Sequence, residues 1–195
     1  GAPLNMVFRF GYGPADEVTR KMLRLWNVYA FFVTYANLPD CPVIHVTAPI
    51  AGRSELDKWV LARLQDLISH CNDRMDNFDS ASLVREMERF IDVLSTWYVR
   101  RSRRRFWKSG DDTDKQSAIQ TLYEVLVTLS KLIAPILPFS AEELYQSLVP
   151  PVDSSAPESV HLCRYPVVSE DKVNQQLLED MQDLMQVVEL GRSAR

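Results

Sequence analysis

The sequence predicts an all-α protein, a helical bundle followed by one appended C-terminal helix. Apolar residues recur at steps of three and four through several long stretches, the signature of helices that bury one face. Most of the eleven prolines and six glycines fall between those stretches, where they punctuate rather than interrupt. No stretch of useful length alternates apolar with polar residues as a half-buried strand would, and no segment repeats. These signals divide the chain into a connector (1–15), a helical bundle (16–149), a Pro/Ser-rich linker (150–168) and a final helix (169–195).

Gly11, Gly13 and Pro14 end an irregular opening, and a helix is expected from Asp16 with Val18, Met22, Leu25, Tyr29, Phe32 and Ala36 on one face. Its second half, Trp26 to Tyr35, is apolar nearly all round and is expected to be deeply buried. Three prolines between Leu38 and Gly52 predict an extended connection. Ser54-x-x-Asp57 resembles a capping box with Asp in place of Glu. The helix after it carries Leu56, Val60, Leu64, Leu67, Cys71 and Met75 on one row. Asp79 or Ser80 opens the next helix, whose stripe is the cleanest in the chain: Leu83, Val84, Met87, Phe90, Ile91, Leu94, Trp97 and Tyr98. Gly110, Asp111, Asp112 and Thr113 close the following element and offer caps for another. Ile119, Leu122, Leu126, Leu129 and Ile133 form its buried row, and Pro135 and Pro138 end it. Ser140-x-x-Glu143 reads as a capping box opening a short helix to about Leu148. Beyond the linker, Val160 to Val168 is expected to be irregular or briefly extended. The last helix, from about Ser169, places Leu177, Met181, Leu184 and Val188 in register.

The most informative stretch is Trp-Tyr-Val-Arg-Arg-Ser-Arg-Arg-Arg-Phe-Trp-Lys, from Trp97 to Lys108. Six cations (Arg100, Arg101, Arg103, Arg104, Arg105 and Lys108) fall within nine residues with no acid among them. The whole chain carries 22 Lys and Arg against 26 Asp and Glu, so without the run its net charge falls from −4 to near −10. The nearest acids in sequence are Asp92 and Asp111, and an unpaired block this dense repels itself unless a partner neutralises it. Arginine offers a planar fork for phosphate, and Trp107 a face on which an unstacked base can lie. The run therefore predicts contact with single-stranded or looped nucleic acid, RNA above all. Continuing the stripe of the preceding helix would bring Arg101 and Arg105 to the core face, and burying them unpaired would cost several kcal/mol. The helix is thus expected to break between Tyr98 and Ser102 or to run past the core, with Val99 and Phe106 as its inward anchors.

Apolar content of 46% and charged content of 25% are those of an ordinary globular chain. Cys41, Cys71 and Cys163 are odd in number and far apart, which argues against disulfides and zinc and suits a reducing cytoplasm. No apolar run approaches the ~20 residues of a membrane span. The chain opens Gly-Ala-Pro, has its first methionine at Met6, and stops at Arg195 directly after a helical pattern. Both ends are expected to be cut from a longer protein. His45, His70 and His161 have no Ser, Cys or carboxylate partner in a motif. Asp111, Asp112 and Asp114 lack calcium-loop spacing and suit a helix N-terminus. No Gly-rich phosphate loop is present. No catalytic residues are expected in these 195 residues.

The wording of these elements resembles one family, the isoleucyl-tRNA synthetases. Leu25-Trp26-Asn27-Val28-Tyr29-Ala30-Phe31-Phe32-Val33-Thr34-Tyr35-Ala36-Asn37 is similar to the first helix after that family's catalytic core. Leu56-Asp57-Lys58-Trp59, with Leu61, Arg63 and Leu64, resembles the start of its next helix, and Trp97 to Trp107 its Arg-rich signature. Leu122-Tyr123-Glu124-Val125-Leu126 with Ala134-Pro135-Ile136-Leu137-Pro138-Phe139 is similar to its fourth helix and proline stop. Ser159-Val160-His161-Leu162, with Tyr165-Pro166, resembles the segment that leaves the bundle.

The resemblance covers roughly Arg9 to Arg195. It implies the anticodon-binding domain of a class I aminoacyl-tRNA synthetase, from a cytoplasmic parent that charges tRNA with isoleucine using ATP and magnesium and hydrolyses mischarged valine. The ATP signatures of that parent are absent here, so an inactive, monomeric piece without cofactor is implied. Zinc would belong only to a further C-terminal part. The implied partners are an isoleucine tRNA and the parent's catalytic and editing domains. Carried over by position, Arg100, Arg101, Arg104 and Lys108 would contact phosphate, with Arg103 and Arg105 as secondary candidates, and Trp107 would stack on an anticodon base. Trp26, Asn27 and Tyr29 keep a core role. Two rivals stand beside this: a helical adaptor whose basic patch docks an acidic protein, and the equivalent domain of a valyl enzyme.

Overall fold

A computed structural model of the protein describes residues 11–45, 49–107 and 113–193. Seven α-helices follow in order: α1 (Tyr12–Ala36), α2 (Glu55–Asp76), α3 (Ser80–Val93), α4 (Arg100–Trp107), α5 (Thr113–Ile133), α6 (Pro138–Leu148) and α7 (Gln175–Ser193). A π-helical turn, Leu94–Val99, joins α3 to α4, and 3-10 turns occupy Val160–Leu162 and Glu170–Lys172. No strand occurs among the described residues. The all-α bundle is what the periodicities predict.

α2 is the centre of the fold. A type II turn brings the chain into it, with Gly52 at φ +89° and Arg53 N donating to Ile50 O at 3.0 Å, a conformation that suits glycine. Ser54 caps the helix by accepting from Asp57 N at 3.2 Å. Trp59, Val60, Leu61, Leu64, Leu67 and Ile68 are all buried, because α3, α5 and α7 each pack against it. α5 is buried on nearly every side and carries the predicted row from Ile119 to Ile133. Its neighbour α6 begins earlier than Ser140. Pro138 takes the first helical position, where its fixed φ fits and its missing N–H costs nothing. Ser140 therefore lies inside the helix and caps nothing.

α1 is less buried than its composition predicts. Leu25, Val28 and Phe32 face the core, whereas Val18, Met22 and Leu23 are exposed and Trp26 is 48% exposed. After α6, residues 150–173 form a strap bonded to the bundle along its length. Tyr145 Oη donates to Pro157 O at 2.8 Å, Asn72 Nδ2 to Pro166 O at 3.0 Å, and Ser169 N to Gln65 Oε1 at 2.8 Å. α7 starts at Gln175 rather than Ser169, where Asn174 Oδ1 accepts from Leu177 N at 3.0 Å. Leu178 is its buried residue, with Leu177, Met181 and Met185 packed beside it, and Leu184 points outward.

The end of α2 carries a strained residue. Phe78 has φ +55° and is 87% exposed. Asp79 N donates to Arg74 O and Phe78 N to Met75 O, the two bonds of a Schellman cap that usually places glycine here. Phe78→Gly is expected to stabilise the chain by about 1 kcal/mol, since it relieves left-handed strain and removes almost no packing. Chemical denaturation of the two proteins measures the difference.

Candidate nucleic-acid interface

The π-helical turn between α3 and α4 decides which arginines reach solvent. Up to Tyr98 the buried row runs Leu83, Met87, Phe90, Leu94, Tyr98. An α-helix would extend it to Arg101 and Arg105. The π turn accommodates one extra residue, so the row resumes one position later with Val99, Ser102 and Phe106, all buried. Neither a break nor an overrun occurs, and the inward anchors are those the sequence predicts. Phe106 is fully buried against α1, 4.9 Å from Phe31 edge to face and 5.8 Å from Tyr35.

With Ser102 inward, successive residues turn by about 100°. Arg100, Arg104 and Trp107 then share the outward row, with Arg103 on one flank and Arg101 on the other. All five are exposed, Trp107 by 59%. Among the described residues no acid pairs with Arg100, Arg103 or Arg104. Three cations of α1 and α2 are already paired. Lys21 lies 3.0 Å from Glu88, Arg24 pairs with Asp92, and Arg63 lies 2.9 Å from Asp66. Unpaired positive charge is thus concentrated on α4. Lys108, the sixth cation of the run, and the caps Gly110, Asp111 and Asp112 lie outside the described residues.

Arg105 corrects the reading of the run. Its side chain is only 12% exposed, and its guanidinium grips the Asp57 carboxylate through both oxygens at 2.8 and 2.6 Å. Arg105 Nε donates to Asp114 Oδ1 at 2.8 Å and Nη2 to Asp114 O at 3.2 Å. Asp57, wholly buried, also accepts from Tyr98 Oη at 2.7 Å and Ser54 Oγ at 2.8 Å. Burial alone would push its pKa up. Arg105, Tyr98 and Ser54 together outweigh that and hold it below the ordinary carboxylate range. Burial likewise opposes the charge on Arg105, but Asp57 raises its pKa on balance. The guanidinium donates four hydrogen bonds to Asp57 and Asp114, which commits it to the fold rather than to a phosphate. It fastens α4 to the starts of α2 and α5.

Sequence reasoning missed this network because Asp57 has a sufficient local role in the first turn of α2. The signal that was available is the offset row Val99, Ser102, Phe106, one residue out of step with the stripe before it.

The chain matches a family model described as the anticodon-binding domain of tRNA ligase over residues 57–195. It belongs to that family. It is 50% identical over 196 residues to the isoleucine–tRNA ligase of Dehalococcoides mccartyi strain CBDB1, covering 100% of this chain and 19% of that protein. The isoleucine–tRNA ligase of Thermus thermophilus is 44% identical over 196 residues, with the same coverage. That of Clostridium acetobutylicum is 42% identical over 188 residues, 96% of this chain and 18% of the relative. The chain thus spans 19% or less of the length of these curated relatives. The matched segment runs from the first turn of α2 through α7 and includes the whole cationic run.

Proposed function

We propose that this anticodon-binding domain holds the anticodon arm of an isoleucine tRNA on the outward face of α4. The observation that carries the reading is the exposed row of Arg100, Arg104 and Trp107, flanked by Arg103, whose arginines have no acid partner among the described residues. The three arginines take backbone phosphates and fix the register of the RNA, while the Trp107 ring receives an unstacked base. A helix anchored by Phe106 and Arg105 presents them together, so no backbone has to be ordered on binding. The relatives' shared name supports isoleucine as the amino acid of the parent enzyme. Its ATP-dependent ligation, its magnesium and its valine editing belong to other domains of that cytoplasmic polypeptide, and this piece acts as a monomer without a cofactor of its own.

Binding to an isoleucine tRNA transcript, and to the same transcript with its anticodon replaced, tests the reading. A preference for the native anticodon is expected, with affinity falling as salt rises. Three phosphate contacts alone give a log–log salt slope of about −2 for a single-stranded target. Equal binding to both transcripts would reduce the role to backbone attraction. Capture of an acidic protein in place of RNA would replace it with the adaptor.

A further inference from the structure

Arg101 stands apart from the outward row. Its position on α4 turns it back toward Trp97, one turn earlier, and its guanidinium carbon lies 3.5 Å from the centroid of the Trp97 ring. That is the separation of two planes in van der Waals contact. Trp97 therefore backs one face of the guanidinium, while Arg101 as a whole remains exposed. No acid among the described residues pairs with it.

A second element reaches the same place. α7 lies along α2, and Leu178 and Met185 share a groove with Trp59. Farther along, Glu189 lines that groove together with Val93. One turn beyond Val93 is Trp97 and the next is Arg101; one turn beyond Glu189 is Arg192. Arg192 is exposed and without an acid partner among the described residues. The two cations are close enough to feel each other: burial first, then Arg192 and Arg100, lower the Arg101 pKa from its ordinary value. Three like charges gathered from two helices, none of them ion-paired among the described residues, form a site for an anion that arrives from outside.

We propose that Trp97, Arg101 and Arg192 form a second RNA subsite bridging α4 and α7, in which an unpaired base stacks on the open face of the Arg101 guanidinium and Arg192 holds the adjoining phosphate. This rests on the RNA-binding reading above and extends it to an element outside the arginine run. Trp97 supplies what a bare surface arginine lacks, a fixed plane. Arginine planes are recognised surfaces for unstacked RNA bases, and a plane ordered in advance loses less freedom on binding. The arrangement gives Arg101 a role that lysine cannot fill, because an ammonium keeps the charge and loses the plane.

The test uses this chain and an anticodon stem-loop RNA carrying 2-aminopurine at successive loop positions. The wild-type protein is expected to quench the probe at one position. Arg101→Lys is expected to abolish that quenching and weaken binding by about tenfold, the size of one lost base stack, with the melting temperature unchanged. Arg192→Ala is expected to keep the quenching and flatten the salt slope by about 0.7, one single-strand phosphate contact. Retained quenching and affinity in Arg101→Lys, with Arg100→Ala still weakening binding, would overturn the subsite and leave the anticodon-arm reading standing. Absence of RNA binding by the wild-type chain would overturn both.

Discussion

Replacing Asp57 by Asn is expected to destabilise the chain by about 3–5 kcal/mol, although the side chain changes by one atom. The cost arises because Arg105 stays buried after its bidentate partner has lost its charge, and an uncompensated buried charge is the expensive outcome. Asp114 retains part of the pairing through Nε and its own carbonyl, which favours the lower end of that range. Arg105→Met strands the opposite charge, the buried Asp57 carboxylate, and is expected to cost a similar amount. The double variant Asp57→Asn/Arg105→Met is expected to cost less than the sum of the two, since neither ion remains to be stranded. Urea unfolding of the four proteins yields the coupling energy. Additive costs would show that the pair contributes nothing as a pair.

Acid gives the same network an independent signature. Asp57 has a folded-state pKa below its unfolded value near 3.9. Its stabilising contribution is therefore complete above about pH 4 and is lost as pH falls through the folded value. Wild type and Asp57→Asn are expected to differ by a constant amount from pH 7 down to about pH 5, and to converge at lower pH. Arg105, whose pKa is raised further above an already high value, remains charged throughout and adds no pH dependence of its own.

The network also marks where sequence legibility ends. The row of α3 was readable because that helix buries one face, and the row of α5 because its apolar residues keep helical spacing although it is buried on nearly every side. α2 was readable as a helix but not as the hub, because burial on several sides depends on which elements surround it. α1 shows the converse: its second half is apolar all round, yet Trp26 is half exposed. Composition reports what a helix is able to bury, not what the neighbouring elements cover. At α6 a plausible capping box at Ser140 lost to Pro138, two residues earlier, whose backbone already has the geometry of a helix start. The outward placement of Arg100, Arg103 and Arg104 followed from the cost of burying unpaired charge. The exception at Arg105 did not, because its partner Asp57 lies 48 positions away in the chain and no local pattern connects the two.

The second large effect is expected from the outward row, and it separates arginines that hold the fold from arginines that face solvent. Arg100→Glu/Arg104→Glu replaces two exposed cations that have no acid partner among the described residues. Surface substitutions of this kind leave stability within about 0.5 kcal/mol, and relief of repulsion within the run works in their favour. RNA binding responds differently. On the proposed interface two phosphate contacts disappear, so the log–log salt slope is expected to flatten by about 1.4 for a single-stranded target. The two introduced carboxylates would also repel an RNA backbone, so affinity at low salt is expected to fall by more than neutral alanines at the same positions would cause. Asp57→Asn, by contrast, removes no RNA contact. Any affinity it loses comes from α4 shifting on the bundle, and its salt slope is expected to stay close to wild type. A flattened slope with unchanged melting in the first variant, and lowered melting with an unchanged slope in the second, would assign the two groups their separate roles. If the charge-reversed chain binds RNA as tightly as wild type, the interface lies elsewhere on the bundle.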